Sequence, residues 1–344
     1  MKLITIILIL CVSAVIVPLN ANSDGANERN NSEPTLYQNG TGLTLTSPLR
    51  TGTNNLFHSL ILIPTLEPAE LMEIGKGYIH AGFDYAVGNF RKDNGTWLLD
   101  YDANLTKSFV DIHYGVSNKT ELMLSLTDGI LAQDKRELLL LKGNLGYFSG
   151  TRSTGLSDLV MGLKFHLMGS SCTSPDTSGS RSRETVQGSS DETEGMPYTS
   201  SLGIWLKYPL AKKESILSSG GTDLSIAYIE TDKIMENIFV HTQVGFTLTG
   251  DENVFKESIG ISNPIFYGTG ISWLVTKDTA LIGQIQGNLN AFKEIKVLNK
   301  NPLSVQGGVR YTLDNHFFTE GSIGFGLNDA SADFTMMFSL GTMF

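Results

Sequence analysis

From Gly77 to Phe344 apolar and polar residues alternate in segment after segment. In Gly77–Asn89, Ile79, Ala81, Phe83, Tyr85 and Val87 fall on one side, with Tyr78, His80, Gly82 and Asp84 on the other. Side chains of an extended chain project alternately, so this period predicts strands with one apolar face. The next strand is expected over Trp97–Val116, with a phase slip near Thr106 of the kind a bulge produces. The pattern continues from Glu121 to Leu126 and over Leu156–Met168, Tyr198–Tyr208, Thr222–Thr231, Ile238–Thr249, Ile265–Val275, Thr279–Asn290, Leu303–Leu313 and Phe317–Leu327. It ends in Ala332–Phe344. The expected number is about twelve strands, within about ten to fourteen, and an even number returns the chain to the side it started from.

The faces opposite the apolar ones hold Gly, Ser, Thr, Gln and scattered charges. Charged residues make up 17% of the 344 residues, and there are 36 glycines. A soluble sandwich would present a more charged face to water, at about 25–35% of the surface. Past the N-terminus no apolar run reaches the ~18 residues that mark a spanning helix. A sheet in lipid must close on itself, because an open edge leaves backbone groups unpaired. The expected fold is therefore an all-β, antiparallel transmembrane β-barrel. Short turns at Lys277-Asp278 and Asp314-Asn315, against long connections at Pro209–Gly221, Gly250–Pro264 and Ala291–Pro302, match the usual asymmetry. The last strand, with Phe334, Met336, Phe338 and Leu340 on one face before Phe344, resembles the closing strand of bacterial outer-membrane barrels. That likeness implies membrane lipid and the barrel-assembly machinery as partners.

The N-terminus carries Lys2, an apolar Leu3–Val17 and small residues at Ala21 and Ser23. Residues 1–23 read as a secretory signal peptide. Once it is removed, Cys172 is the only cysteine, so no intramolecular disulfide can form, which suits the bacterial envelope. Residues 24–76 read as a flexible leader followed by a mouth or plug segment, with Leu56–Leu66 near the mouth and a short helix or turn at Glu67–Gly75. Residues 77–344 form the barrel, with long loops at 127–155 and 169–197, the latter a Ser-rich insertion.

By the phase of the strands, Asp84, Asp111, Asp158, Lys164, Lys207, Gln284, Gln286, Arg310 and Glu320 line the lumen, and Glu121 joins them. Charges from opposing walls make either a selectivity constriction or an internal polar network that plugs a narrow barrel. His80, His113, His166 and His241 also point inward, on strands scattered around the wall. No metal site or cofactor is expected. No Gly-x-Ser-x-Gly is present and no strand carries His-x-Ser, so an enzyme is not expected. A net charge of −10 with no basic cluster argues against nucleic acid.

Several stretches together resemble an uncharacterised family of bacterial outer-membrane barrel proteins, known as a domain of unknown function. They are Pro64–Met72 (PTLEPAELM) followed by Gly75, Leu99–Asp102, Tyr114–Val116 before Glu121-Leu122, and Gly155–Leu159. Leu206–Pro209, Ala280–Asn288, Thr319-Glu320 and Ser331–Phe334 ahead of the terminal Phe complete them. The resemblance implies location and shape, and supplies no substrate. The expected function is an outer-membrane pore or carrier for a small solute, apolar ones included. The alternatives are a non-conducting structural or surface-interaction barrel and, behind it, an outer-membrane hydrolase. The oligomeric state stays open.

Overall fold

The computed structural model describes residues 45–50, 61–93, 98–133, 153–169, 198–211, 218–250, 253–254, 259–260, 262–289, 301–314 and 316–344. The expected signal peptide, most of the leader, residues 134–152 and the Ser-rich stretch with Cys172 lie outside them.

Twelve described strands close into one antiparallel barrel. They are β1 Gly77–Asp93, β2 Leu98–Ser117, β3 Thr120–Gln133, β4 Ser153–Gly169, β5 Tyr198–Pro209 and β6 Asp223–Met235. The second half comprises β7 Ile238–Leu248, β8 Ile265–Thr276, β9 Thr279–Leu289, β10 Leu303–Thr312, β11 Phe317–Gly326 and β12 Phe334–Met343. Each strand pairs with its neighbours in sequence. The ring closes where β1 meets β12, from Tyr78 opposite Met343 to Val87 opposite Phe334. Just past that ladder, Gly77 and Phe344 exchange both backbone hydrogen bonds at 2.9 Å. The β7–β8 connection carries a two-residue ladder, Asn253–Val254 against Ile259–Gly260.

The two faces separate as the alternation requires. In β8, Phe266, Gly268, Gly270, Ser272 and Leu274 are buried, whereas Ile265, Tyr267, Ile271, Trp273 and Val275 stay exposed. Trp273 is 45% exposed, Phe338 44% and Leu340 54%, on the outer face. An apolar outer wall of this extent is costly in water and suits hydrocarbon. No helix among the described residues is long and apolar enough to cross a membrane. The short turns 236–237 and 277–278 lie at one end of the barrel, with 118–119 and 313–316. In the last of these, Asp314 accepts the N–H groups of His316 and Phe317 at 2.7 and 2.9 Å. Those two bonds stabilise its ionised form and hold its pKa below the usual carboxylate range.

Four expectations need correction. The 127–155 loop is shorter than the alternation indicated: β3 continues to Gln133 and β4 begins at Ser153. A register shift between Leu126 and Asp128 breaks the period there while the backbone stays paired. The slip expected at Thr106 does not occur, because β1 and β2 pair without interruption from Gly77–Tyr114 to Asp93–Leu98. The irregularity falls instead between Gly115 and Ser117. Of the helix or turn expected over Glu67–Gly75, the helix is absent: the chain is irregular, with bends at Ala69 and Glu70 and a turn at Gly75. Its backbone groups are taken up by side chains of the wall, as described below. Finally, the 61–76 segment is not confined to the mouth.

That segment runs the length of the interior. Near the long-loop end, the Leu62 N–H donates to Asp223 Oδ2 at 3.0 Å. At the short-turn end, the Gly75 N–H donates to the Gly115 carbonyl at 2.9 Å. Leu62 and Ala69 pack with Met123, Trp205, Ala227, Ile229 and Phe266 of the wall. Leu45 and Leu49 of the 45–50 segment form a second cluster with Phe239, Leu274, Ala280 and Ile282. The barrel thus has a core made of its own N-terminal chain.

Gly341 faces the interior, and a side-chain carbon there would overlap the Phe318 ring. Gly321 faces outward into open space. Gly341→Val is expected to destabilise the refolded barrel by about 1–3 kcal/mol through overpacking. Gly321→Val is expected to stay within about 0.5 kcal/mol of wild type. The urea midpoint of the heat-sensitive gel shift checks both, and equal midpoints would contradict the assignment of faces.

Candidate functional site in the barrel lumen

All nine residues expected to line the lumen face the interior. Asp84, Asp111, Asp158, Lys164, Lys207, Gln284, Arg310 and Glu320 are buried, and Gln286 is half-buried beside a cavity. Their environment is not a water-filled bore. Asp84, Asp111, Lys164, Gln284, Arg310 and Glu320 sit against the inserted N-terminal chain, and Asp158 and Lys207 hold hydrogen-bonded or ionic partners of the wall and its loops.

Three ionic groups fix the inserted chain. At the short-turn end, Glu121 of β3 accepts the Met72 N–H at 2.9 Å and lies 3.3 Å from Lys164 Nζ. Its other oxygen meets His113 Nδ1 at 2.7 Å. Lys164 also donates to the Pro68 carbonyl at 3.0 Å. Near the long-loop end, Lys207 pairs with Asp223 at 2.6 Å, and Asp223 holds the Leu62 N–H. On the opposite wall Arg310 donates through Nε to Glu320 Oε2 at 2.8 Å. It also reaches the carbonyls of Ser47 and Pro48 at 2.7 and 3.0 Å. Glu320 accepts the Arg50 N–H at 3.2 Å.

Neutral groups complete the grip. Gln284 both accepts from the Leu49 N–H and donates to the Leu49 carbonyl, each at 3.0 Å. Gln243 accepts the Glu67 N–H at 2.9 Å, and Thr231 accepts the Ala69 N–H at 2.9 Å. The hydroxyl of Ser201 donates to the Ala69 carbonyl. An extended strap inside a barrel has no ladder partner, so polar side chains of the wall take the place of one.

Between residues 61–67 and the inner faces of β1–β5 lies a cavity of about 190 Å³. Arg50, Asp84, Lys107, Asp111 and Asp158 give it a charged side, and Met123, Val160 and Trp205 with Leu62 and Ile63 an apolar one. Asp158 accepts hydrogen bonds from Ser157 at 3.1 Å and Ser218 at 2.5 Å. Arg50 pairs with Asp111, and its Nε lies 3.9 Å from Asp84. A smaller cavity of about 40 Å³ lies beside Arg50, Tyr78 and Arg310.

The histidines are built into the wall separately. His113 stacks on Tyr78 with ring centroids 4.4 Å apart. His241 donates to the Thr46 carbonyl at 2.9 Å and meets Thr231 at 3.0 Å. His80 lies 2.6 Å from the Ser339 hydroxyl. Among the described residues no carboxylate meets the other ring nitrogen of His80, so the orienting third member of a Ser-His-acid arrangement is not in place. No cluster of potential metal ligands occurs among the described residues.

Two participants were not legible from the sequence. Lys107 was hidden by the assumed slip at Thr106, although Leu105, Lys107, Phe109 and Asp111 share one unbroken face. Arg50 sat in what read as a flexible leader, and no local pattern marks it. Glu121→Gln is expected to leave Lys164 as a buried, uncompensated ammonium, costing about 3–5 kcal/mol. The variant should show a lower urea midpoint and faster proteolysis within residues 61–76. Unchanged values would mean that this group does not hold the strap.

The model of a family described as a protein of unknown function (DUF3187) matches residues 181–344. The stretches quoted above from Pro64 to Leu159 lie outside that match. No curated protein matches the chain. The fold is similar to that of the COG4313 outer membrane channel from Pseudomonas putida F1, with a TM-score of 0.56 at 10% identity, over 80% of this chain and 98% of that one. More distant are the KdgM porin in complex with disordered oligogalacturonate (TM-score 0.42, 6% identity, 77% and 98% covered) and the translocator domain of autotransporter NalP from Neisseria meningitidis (0.43, 10%, 79% and 90%). The chain is thus a twelve-stranded barrel with the fold of an outer-membrane channel, and its C-terminal part matches an uncharacterised domain family.

Proposed function

We propose that this protein is an outer-membrane channel for a small solute, held closed by its own N-terminal segment. The observation that carries this reading is the strap itself, which runs from Leu62 to Gly75 inside a closed barrel and is bound mainly through its backbone. Backbone-to-side-chain bonds can be exchanged for water one by one. A strap held this way can leave while the wall, whose ladders do not depend on it, stays closed. The fold shared with a bacterial outer membrane channel supports the same reading. The cavity of about 190 Å³ beside the strap lies below the ~300–1,000 Å³ of sites for drug-sized ligands, which favours a small solute. Its charged side favours a polar solute over a purely apolar one. In the membrane, β12 and Phe344 would serve as the element read by the assembly machinery.

A non-conducting barrel is the second reading, and the apolar packing of Leu62 and Ala69 favours it. A disulfide between strap and wall separates the two. Ala69 of the strap and Thr231 of the wall are neighbours, joined by a 2.9 Å backbone-to-side-chain hydrogen bond, which makes them the pair to replace by cysteines. In a Cys172→Ser background, the Ala69→Cys/Thr231→Cys protein in planar bilayers is expected to conduct when reduced. It should fall silent on oxidation and recover with dithiothreitol. Equal conductance in both states would show that the strap is not the gate. Silence in both states, with wild type silent too, would favour the non-conducting barrel.

A further inference from the structure

Among the side chains that the N-terminal segments send into the charged side of the lumen is Arg50. Its guanidinium pairs with Asp111, lies 3.9 Å from Asp84 and stacks over Phe109, with Cζ 3.7 Å from the ring centroid. Asp84 comes from β1, and Phe109 and Asp111 from β2. Two carboxylates on one wall with an aromatic face beneath make a receptor for a planar cation. Arg50 does not saturate it. Oδ1 of Asp84 and Oδ1 of Asp111 are buried without a hydrogen-bond partner, and so is Arg50 Nε. Asp84 is only 4% exposed and Asp111 8%, so these acceptors face the lumen and not bulk water.

We infer that Asp84, Asp111 and Phe109 form a binding site for a small guanidinium-bearing cation, and that Arg50 occupies it as a tethered stand-in for that solute. Once Arg50 withdraws, the carboxylates facing the cavity (Asp84, Asp111, Asp158 and Glu67) outnumber its ammonium groups (Lys107 and Lys207). Lys207 is moreover committed to Asp223. The vacated site therefore attracts a cation, even with Lys107 standing opposite Asp84 on the neighbouring strand. An untethered guanidinium can turn to give two parallel N–H groups to one carboxylate, which a side chain entering from a fixed backbone cannot do freely. The solute and the Arg50 side chain then exclude each other from the site, so the solute competes for the contact that holds the 45–50 segment against β1 and β2.

The physiological meaning rests on the channel reading, but binding can be tested apart from it. The probe is ethylguanidinium, with propionate as the anionic control. Full-length Arg50→Ala protein in detergent, its fold checked by the heat-dependent gel shift, is expected to bind ethylguanidinium in titration calorimetry and not to bind propionate. Wild type should bind at least tenfold more weakly, because Arg50 fills the site. Adding Asp84→Asn and Asp111→Asn should cost at least tenfold, and either single change serves if the double variant loses the gel shift. No binding to Arg50→Ala, or binding indifferent to the aspartates, overturns the inference. In bilayers the same cation should block Arg50→Ala currents. Binding with no current in any variant would support the site and count against the channel alone.

Discussion

A lipid bilayer offers no hydrogen bond to a peptide group, and that constraint organises this molecule. Every strand must be paired on both edges, which a sheet achieves only by closing. The closure is the β1–β12 ladder, extended by the reciprocal bonds between Gly77 and Phe344. Closure then creates a second problem. Twelve strands enclose a space too wide for the wall's own side chains to fill and too narrow to leave the facing charges fully hydrated.

The chain meets that problem with its N-terminal segments. They bring apolar side chains such as Leu49, Leu62 and Leu66 and, more importantly, backbone amides and carbonyls. The inward polar residues of the wall are spaced to receive them. Glu121, Asp223, Thr231, Gln243 and Gln284 each hold a backbone group of the inserted chain. Charges that would be costly when buried alone are paired across strands, as Lys164 with Glu121 and Arg310 with Glu320. A network of this kind is strong while complete. Loss of one partner of a buried charge pair exposes the desolvation cost of the other.

Much of the wall was legible in the sequence because it follows from a period of two. Asp158, Lys164 and Lys207 face inward for the same reason that Met161, Leu163 and Leu206 face outward: neighbours on an extended chain point to opposite sides. The reading failed where the backbone departs from that rule or where residue type misleads. At Leu126–Asp128 a bulge shifts the phase while pairing continues, so the end of β3 looked like loop. Along Asn104–Ser108 polar residues on the outer face imitated a slip that is not there, and Lys107 was lost with it.

The sequence alone determined that this chain makes a closed barrel of about twelve strands and, away from Asn104–Ser108 and the end of β3, which wall residues point inward and which outward. These are local properties, set by alternation and by the bilayer's intolerance of open edges. Only the tertiary structure decided that the lumen is occupied, that residues 61–76 traverse it, and that Arg50 meets Asp84 and Asp111. Those contacts join residues remote in sequence through backbone atoms. A backbone amide is the same whatever side chain it carries, so no residue pattern in the leader could announce where it would bind.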